Sequence, residues 1–263
     1  MHVIRKIKKR ARYYFGQVKK IDFMVVGAQK AGTTALDSYL RLNPQICMAT
    51  KKEVHFFDND TFFANGNPDY RTYHSYFNPS PSHKLLGEVT PAYMYWLTSP
   101  RRIWEYNLEI KLIAVLRNPI DRAYSQWNMQ IHRKRDTRTF WEAIHSEPEK
   151  IRETLPLQNR PYAYIDRGFY SEQIRRLKLY FPEDQILIIR YEELLEAPHT
   201  CLNNIWSFLG VDGLDLVDSL SKNQRPYVSE MEERERDYLK HVFEYEIKHL
   251  ERMLGWDCSG WLQ

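Results

Sequence analysis

Short apolar runs alternate with amphipathic segments along most of the chain. The apolar runs are predicted as strands at residues 21–26, 84–88, 111–116 and 185–190. The segments between them carry apolar residues at helical spacing and are predicted as helices at residues 33–42, 119–132, 171–180, 198–209 and 229–254. Unbroken apolar strands separated by helices indicate a parallel sheet covered on both faces. The pattern therefore predicts a single α/β domain with a central parallel sheet flanked by helices.

Composition narrows the class of protein. The 263 residues are 43% hydrophobic and 14% aromatic, which excludes an intrinsically disordered chain. No apolar run approaches the roughly 20 residues of a membrane span, nor the apolar stretch of a signal peptide. The three cysteines are scattered, without the spacing of a zinc site, so no metal site is predicted. These features predict a soluble protein of the cytoplasm.

The net charge of +4 is distributed unevenly. Residues 1–20 hold eight of the 38 Lys and Arg residues and no acid, so the remaining 30 basic residues face all 34 acidic ones. A slightly acidic body argues against nucleic-acid binding. The chain is therefore divided into a basic amphipathic N-terminal segment, 1–20, and a domain, 21–263. Two interpretations of the segment stay open: packing on the domain, or docking on a partner or a membrane surface.

A strand–loop–helix motif carries the first candidate chemistry: Phe-Met-Val-Val-Gly-Ala-Gln-Lys-Ala-Gly-Thr-Thr at residues 23–34. Backbone N–H groups of such a loop, and of the helix that follows, form a cradle for an anion. Gly27 and Gly32 keep the spacing of the G-x-x-x-x-G-K-[ST] nucleotide loop, but Thr33 occupies the position of its lysine. The lysine lies inside the loop instead, as Lys30. This P-loop-like motif predicts binding of a 5′-phosphate donor without a required metal ion.

A second candidate site follows the strand at 111–116. Arg117 ends that strand, at the sheet edge where open α/β sheets bind ligands. Ser125 lies about two turns into the next helix, whose start is predicted from Asn118 as N-cap and Pro119 at the first position. The pair could hold a second phosphate. Alternatively, Arg117 pairs with a carboxylate and Ser125 is a surface hydroxyl.

The two segments together resemble the phosphate-binding elements of the sulfotransferases that use 3′-phosphoadenosine 5′-phosphosulfate (PAPS). The resemblance is nearest to the heparan-sulfate N- and 3-O-sulfotransferase branch and its bacterial relatives, and it extends from about residue 21 to the end of the chain. Further stretches in the same order support it: Glu-Val-His-Phe-Phe-Asp at 53–58, Gly-Glu-Val-Thr-Pro-Ala-Tyr at 87–93, Arg-Gly-Phe-Tyr at 167–170 and Lys-Asn-Gln-Arg-Pro-Tyr at 222–227.

The resemblance implies roles for individual residues. Lys30 would contact the phosphosulfate bridge, and Arg117 and Ser125 would hold the 3′ phosphate. Tyr170 would contact the nucleotide. The 5′ phosphate would be held by Ala31, Gly32, Thr33 and Thr34. A late loop that departs from the common glycine-containing pattern would close over the nucleotide through Lys222, Asn223 and Arg225.

The implied reaction is in-line sulfuryl transfer from PAPS to a hydroxyl or amine of a small molecule or glycan, leaving 3′,5′-ADP (PAP). Positioning and charge stabilisation supply most of the catalysis, by analogy with phosphoryl transfer. Glu88 is the predicted general base and His55 the second candidate. The acceptor, O- versus N-sulfation and the oligomeric state stay open. The lack of a membrane anchor favours a soluble bacterial enzyme over a Golgi glycan enzyme.

Two other classes of function are weighed. A nucleotide-dependent kinase needs a carboxylate for Mg²⁺ after a buried strand. The strands at 111–116 and 185–190 instead lead into Arg117 and Arg190. A non-catalytic nucleotide-binding scaffold would account for the basic N-terminal segment, but it has no need of both Lys30 and Glu88.

Overall fold

The computed structural model describes residues 19–214 and 226–263. Most of the basic N-terminal segment lies outside the described residues. The same holds for Lys222, Asn223 and Arg225, so their predicted contacts stay predictions.

Five parallel strands form the sheet in the order β2-β3-β1-β4-β5. The strands are β1 Phe23–Gly27, β2 Ile46–Met48, β3 Leu85–Val89, β4 Lys111–Leu116 and β5 Ile186–Arg190. After β1 the chain builds β2 and β3 on one side, and then crosses to the other side for β4 and β5. The carboxyl end of β1 is therefore a topological switch point, where open parallel sheets bind ligands.

Helices of very different lengths connect and flank these strands. The described α-helices are α1 Thr33–Leu42, α2 Tyr70–His74, α3 Ser99–Tyr106, α4 Pro119–His132, α5 Phe140–His145, α6 Glu147–Arg152, α7 Tyr170–Lys178, α8 Tyr191–Glu196, α9 Pro198–Leu209 and α10 Glu233–Leu254. Short 3₁₀ turns lie at Asp60–Phe63, Asp166–Gly168, Glu183–Gln185 and Ser259–Leu262. In the part of the chain described, no helix is both long enough and apolar enough to cross a membrane.

The central strands are buried because helices cover both faces of the sheet. Every residue of β1 is buried, and so is all of β4 except Lys111. In register, Met24 of β1 lies between Glu88 of β3 and Leu112 of β4. The predicted α/β class with a parallel central sheet is confirmed.

Local signals account for the elements that the sequence predicted best. Helix α4 begins at Pro119 because the Asn118 side chain accepts a hydrogen bond from the N–H of Ile120 at 3.0 Å. Helices α1, α4 and α9 begin and end at the predicted residues. Helix α10 begins at Glu233 rather than at residue 229, and it ends at Leu254 as predicted.

Candidate active site

The loop after β1 has a backbone shape that few residues tolerate. Lys30 and Gly32 both adopt positive φ, 74° and 79°. A Cβ at Gly32 would lie 2.7 Å from Cε2 of Tyr191, the first residue of α8. Glycine is therefore required at residue 32 by conformation and by space. The tight turn brings the start of α1 against the carboxyl end of β5.

The N-terminus of α1 presents backbone N–H groups of its first turn. Among the described residues, no side chain caps this helix, and its first turn holds no acid. Thr33 is buried and Thr34 is exposed. An uncapped helix N-terminus with its dipole is suited to a phosphate. The predicted contact of Ala31 is weakened, because its N–H already donates to the Ala28 carbonyl at 3.2 Å.

Arg117 joins the two predicted phosphate elements. Its Nη1 donates to the Lys30 carbonyl at 3.2 Å, and its guanidinium lies 5.0 Å from the centre of the Tyr191 ring. Its Nη2 donates to the Tyr227 hydroxyl at 3.5 Å. The nearby Asp121 pairs with Arg236 instead, and no carboxylate in residues 19–214 or 226–263 forms an ion pair with Arg117. Its charge therefore remains available for an anion beside the α1 N-terminus.

The two other predicted nucleotide contacts, Tyr170 and Ser125, are both buried. The Tyr170 hydroxyl donates to the Arg117 carbonyl at 2.9 Å, and the residue has no exposed surface. Tyr170 therefore positions the backbone of Arg117, and a direct nucleotide contact would require movement of the site. Ser125 on α4 is also buried, with 9% of its surface exposed, and its predicted contact with a 3′ phosphate stays a prediction.

The predicted base, Glu88, lies in β3 with no exposed surface. The Tyr73 hydroxyl donates to one carboxylate oxygen at 2.7 Å, and Thr90 donates to the other at 3.2 Å. Burial raises its pKa to about 7, against the hydrogen bonds from Tyr73 and Thr90, which lower it. A carboxylate with both oxygens bonded and no solvent contact cannot reach an acceptor in this structure. Its burial therefore counts against the predicted role.

Residues 53–58 form a cluster of ionisable groups after β2. The His55 Nδ1 lies 2.8 Å from Asp58 Oδ2, and its Nε2 lies 3.5 Å from Glu53 Oε2. Arg160 donates to Asp58 Oδ2 at 2.6 Å, and Lys52 pairs with Glu53 at 2.8 Å. Glu53 and His55 are about one third exposed, whereas Asp58 is fully buried. The cluster therefore presents one carboxylate and one imidazole to solvent.

The backbone of this segment is strained. Glu53 and His55 adopt φ values of 59° and 56°, the left-handed region that costs such residues on the order of 1–3 kcal/mol each. The N–H of Glu53 donates to the Val89 carbonyl at the end of β3, at 2.9 Å. Val25 of β1 in turn accepts from Thr90, at 3.0 Å. The cluster therefore lies at the same sheet edge as the β1 loop.

Mutual pairing fixes the charges of the cluster. Contacts with Asp58 and Glu53, against burial, raise the pKa of His55 to about 9. The His55 contact, against burial and with help from Lys52, lowers the pKa of Glu53 to about 2. Burial alone would raise the pKa of Asp58, but His55 and Arg160 outweigh it and hold that pKa below its usual range. At neutral pH the cluster is an imidazolium between two carboxylates.

This pairing predicts how stability depends on pH. Because folding raises the pKa of His55 from 6.5 to about 9, its pairing stabilises the folded protein fully below pH 6.5. That contribution is lost as the pH rises through about 9. His55→Gln should therefore lower the melting temperature most at pH 6 and very little at pH 10. An equal loss at both values would contradict a charged His55.

Two residues at this sheet edge, Glu53 and Tyr191, were not predicted as site residues from the sequence. Glu53 lies in the Glu-Val-His-Phe-Phe-Asp stretch at 53–58. Its short spacing from His55 and Asp58 is the signal that could have marked it as a candidate base. Tyr191 directly follows β5. Like Arg117 after β4, it could have been predicted as a site residue from its place at the carboxyl end of a strand. Within the described ranges, no group of three His, Cys, Asp or Glu residues could hold a metal ion.

The sequence and the fold are similar to those of known proteins. Residues 20–243 match the sulfotransferase domain family. Heparan sulfate glucosamine 3-O-sulfotransferase 5 of Mus musculus is 30% identical over 72% of this chain and 53% of its own length. The bifunctional heparan sulfate N-deacetylase/N-sulfotransferase 3 of Homo sapiens is 31% identical over 77% of this chain and 24% of its own length. The chain thus spans about half or less of these two relatives.

A solved structure extends the likeness over nearly the whole fold. The crystal structure of a sulfotransferase from Alicyclobacillus acidocaldarius is 28% identical, with a TM-score of 0.78. The match covers 94% of this chain and all of that one. The predicted family resemblance is confirmed: the chain belongs to the sulfotransferase domain family.

Proposed function

We propose that this protein transfers a sulfuryl group from PAPS to a hydroxyl or amine acceptor. The observation that carries the proposal is the pairing of two anion sites at one sheet edge. One is the uncapped N-terminus of α1, and the other is the guanidinium of Arg117, which is bonded to the Lys30 carbonyl. A nucleotide with phosphates on both its 5′ and its 3′ positions fits two such sites, whereas ATP offers no 3′ phosphate to Arg117.

The residues of the β1 loop would stabilise the leaving group. As the acceptor oxygen or nitrogen bonds to sulfur, the bond from sulfur to the bridging oxygen breaks and PAP departs. The ammonium of Lys30 and the N–H groups of α1 would neutralise the negative charge that grows on that oxygen. Positioning of the two reactants supplies the rest of the rate enhancement.

The acceptor must also lose a proton, and the geometry favours Glu53 as its recipient. The imidazolium of His55 has no lone pair to offer until the pH exceeds about 9. Glu88 has no exposed surface, so an acceptor cannot reach it in this structure. Glu53 is partly exposed and ionised, and His55 and Lys52 hold it in place. Its low pKa makes it a modest base, but it keeps the carboxylate ionised throughout the physiological range.

The acceptor belongs to the broad class of small molecules and glycans. The names of the two relatives specify 3-O-sulfation and N-sulfation of heparan sulfate, so hydroxyl and amine acceptors both occur among similar proteins. A hydroxyl and an amine are therefore both candidate acceptor groups for this protein. The cytoplasmic location and the bacterial origin expected from the sequence stay predictions.

Turnover of labelled PAPS tests the proposed function. The protein is incubated with ³⁵S-labelled PAPS and a panel of hydroxyl and amine acceptors that includes phenols, aliphatic alcohols, amino sugars and unsulfated oligosaccharides. Label should pass to at least one acceptor, with PAP released in equal amount. Transfer of label from γ-³²P-labelled ATP-Mg to the same acceptors, with none from PAPS, would instead indicate a kinase.

Arg117→Ala should weaken 3′,5′-ADP binding much more than 5′-AMP binding. Only the former carries a 3′ phosphate for the guanidinium, and loss of a charged hydrogen-bonding partner costs on the order of 1.5–3 kcal/mol. Calorimetry of both nucleotides against wild type and variant gives the difference. Arg101→Ala, which removes an exposed arginine paired with Glu105, is the control. Equal weakening of the two nucleotides would contradict the assignment of Arg117 to the 3′ phosphate.

A further inference from the structure

Glu88 lies in the middle of a buried cluster of tyrosines. Tyr73 and Tyr93 have no exposed surface, and Tyr106 is 4% exposed. The Tyr73 hydroxyl donates directly to the Glu88 carboxylate. Tyr93 lies nearby, and the pKa of its hydroxyl is raised by burial and then by the charge of Glu88. A buried carboxyl group in such a setting is costly unless hydroxyl donors satisfy it. One of the three tyrosines, Tyr73, is therefore bonded to this carboxyl group, and Tyr93 lies beside it.

Tyr73 and Tyr93 also contact the 53–58 cluster, at Phe56 and Phe57. The Tyr93 hydroxyl accepts a hydrogen bond from the N–H of Phe56 at 3.0 Å. The Phe56 ring stacks on Tyr73 with centroids 4.9 Å apart, and Phe57 packs edge-on against both tyrosines at 5.1 and 5.6 Å. Phe56 is the residue directly after His55. The position of the imidazole is thus coupled to the hydroxyl of Tyr93.

Backbone bonds to β3 complete the connection. The N–H of Ala49 donates to the Gly87 carbonyl, and that of Glu53 donates to the Val89 carbonyl, both at 2.9 Å. These two acceptors flank Glu88 in the strand. The left-handed conformations of Glu53 and His55 persist only if the surroundings impose them. The strand residues around Glu88, the Tyr73 side chain bonded to it and the Tyr93 hydroxyl bonded to Phe56 supply that constraint.

We propose that Glu88 is a positioning residue: its buried carboxyl group orders Tyr73 by a hydrogen bond and Tyr93 through the shared packing of Phe57, and thereby holds Glu53 and His55 in reacting geometry. It exchanges no proton with the acceptor. The titratable groups that face it are Tyr73, which is bonded to it, and, through space, Tyr93, Tyr106 and Asp58. The consequence for turnover rests on the proposed function, whereas the consequence for the geometry of His55 does not.

The experiment measures the pKa of His55 by NMR in the full-length protein, with His55→Gln used to assign its signal. In wild type the imidazole should titrate near pH 9. In Glu88→Gln and in Tyr93→Phe, loosening of the 53–58 cluster should move that pKa down toward 6.5. Tyr106→Phe removes another buried hydroxyl of the same aromatic cluster, one that bonds Ile21 and His74, and should leave the His55 pKa unchanged.

Turnover of PAPS with an accepted substrate supplies the second readout. Glu88→Gln and Tyr93→Phe should both lower kcat by about tenfold or more, with PAP affinity close to wild type, because misplacement of a reacting group by about 1 Å can cost about 10²-fold. An unchanged His55 pKa in both variants would overturn the proposal. Loss of turnover in Glu88→Gln alone, with normal turnover in Tyr93→Phe, would also overturn it and favour Glu88 as the base. Tyr93→Phe keeps the test valid if Glu88→Gln does not fold.

Discussion

Glu53→Gln should lower the turnover of PAPS by about 10²-fold or more, because general-base catalysis typically contributes about 10²–10⁴-fold. The substitution keeps the size of the side chain and removes its ability to accept a proton. PAP affinity should stay close to wild type, since Glu53 belongs to the 53–58 cluster and not to the β1 loop. Steady-state kinetics with labelled PAPS, together with PAP titration, gives both quantities.

A matched glutamate controls for a general effect of charge removal. Glu172 pairs with Arg176 on α7 at 3.2 Å and is 56% exposed, so Glu172→Gln should leave turnover unchanged. Near-normal turnover in Glu53→Gln would remove Glu53 as the base. Glu88 would then regain the role that the sequence analysis gave it, provided that Glu88→Gln loses turnover without any change in the titration of His55.

Lys30→Met should lower turnover by about 10²–10³-fold, the usual effect of removing a group that stabilises developing charge. Methionine keeps the aliphatic stem and removes the ammonium, at a residue whose φ of 74° strains both side chains alike. PAP affinity should fall much less than turnover, because the bridging oxygen gains its charge only as the bond to sulfur breaks. Lys51→Met, at an exposed lysine, is the control. A parallel loss of PAP affinity and turnover would assign Lys30 to binding alone.

The fold could be predicted wherever the signal was local. Strand β4 and helix α4 followed from an unbroken apolar run and from a capping Asn118 with Pro119 after it. Strand β2 was missed because Ile46–Met48 is too short to show a period. Its place at the edge of the sheet depends on pairing with β3, which lies far away in sequence.

The parts of the candidate site that depend on local backbone and charge could be predicted from the sequence. The parts that depend on tertiary packing could not. The glycine spacing and the strand-end Arg117 predicted two elements that the fold does bring together, since Arg117 bonds the Lys30 carbonyl beside the N-terminus of α1. The sequence alone does not show whether Glu88 or Glu53 is the better candidate base. Glu88 is buried among Tyr73 and Tyr93, whereas Glu53 is partly exposed on a backbone of positive φ. Both facts arise from tertiary contacts. Similarly, nothing local to Tyr170 reveals that its hydroxyl bonds the Arg117 carbonyl.

Calorimetric titration of the wild-type protein with 3′,5′-ADP, 5′-AMP and ATP-Mg tests the central claim most directly. The two anion sites at the carboxyl ends of β1 and β4 predict that 3′,5′-ADP binds most tightly. Its advantage over 5′-AMP should be about tenfold to a hundredfold, the value of one charged contact to the 3′ phosphate. Equal affinity for 3′,5′-ADP and 5′-AMP, or tighter binding of ATP-Mg than of either, would contradict a PAPS-dependent sulfotransferase.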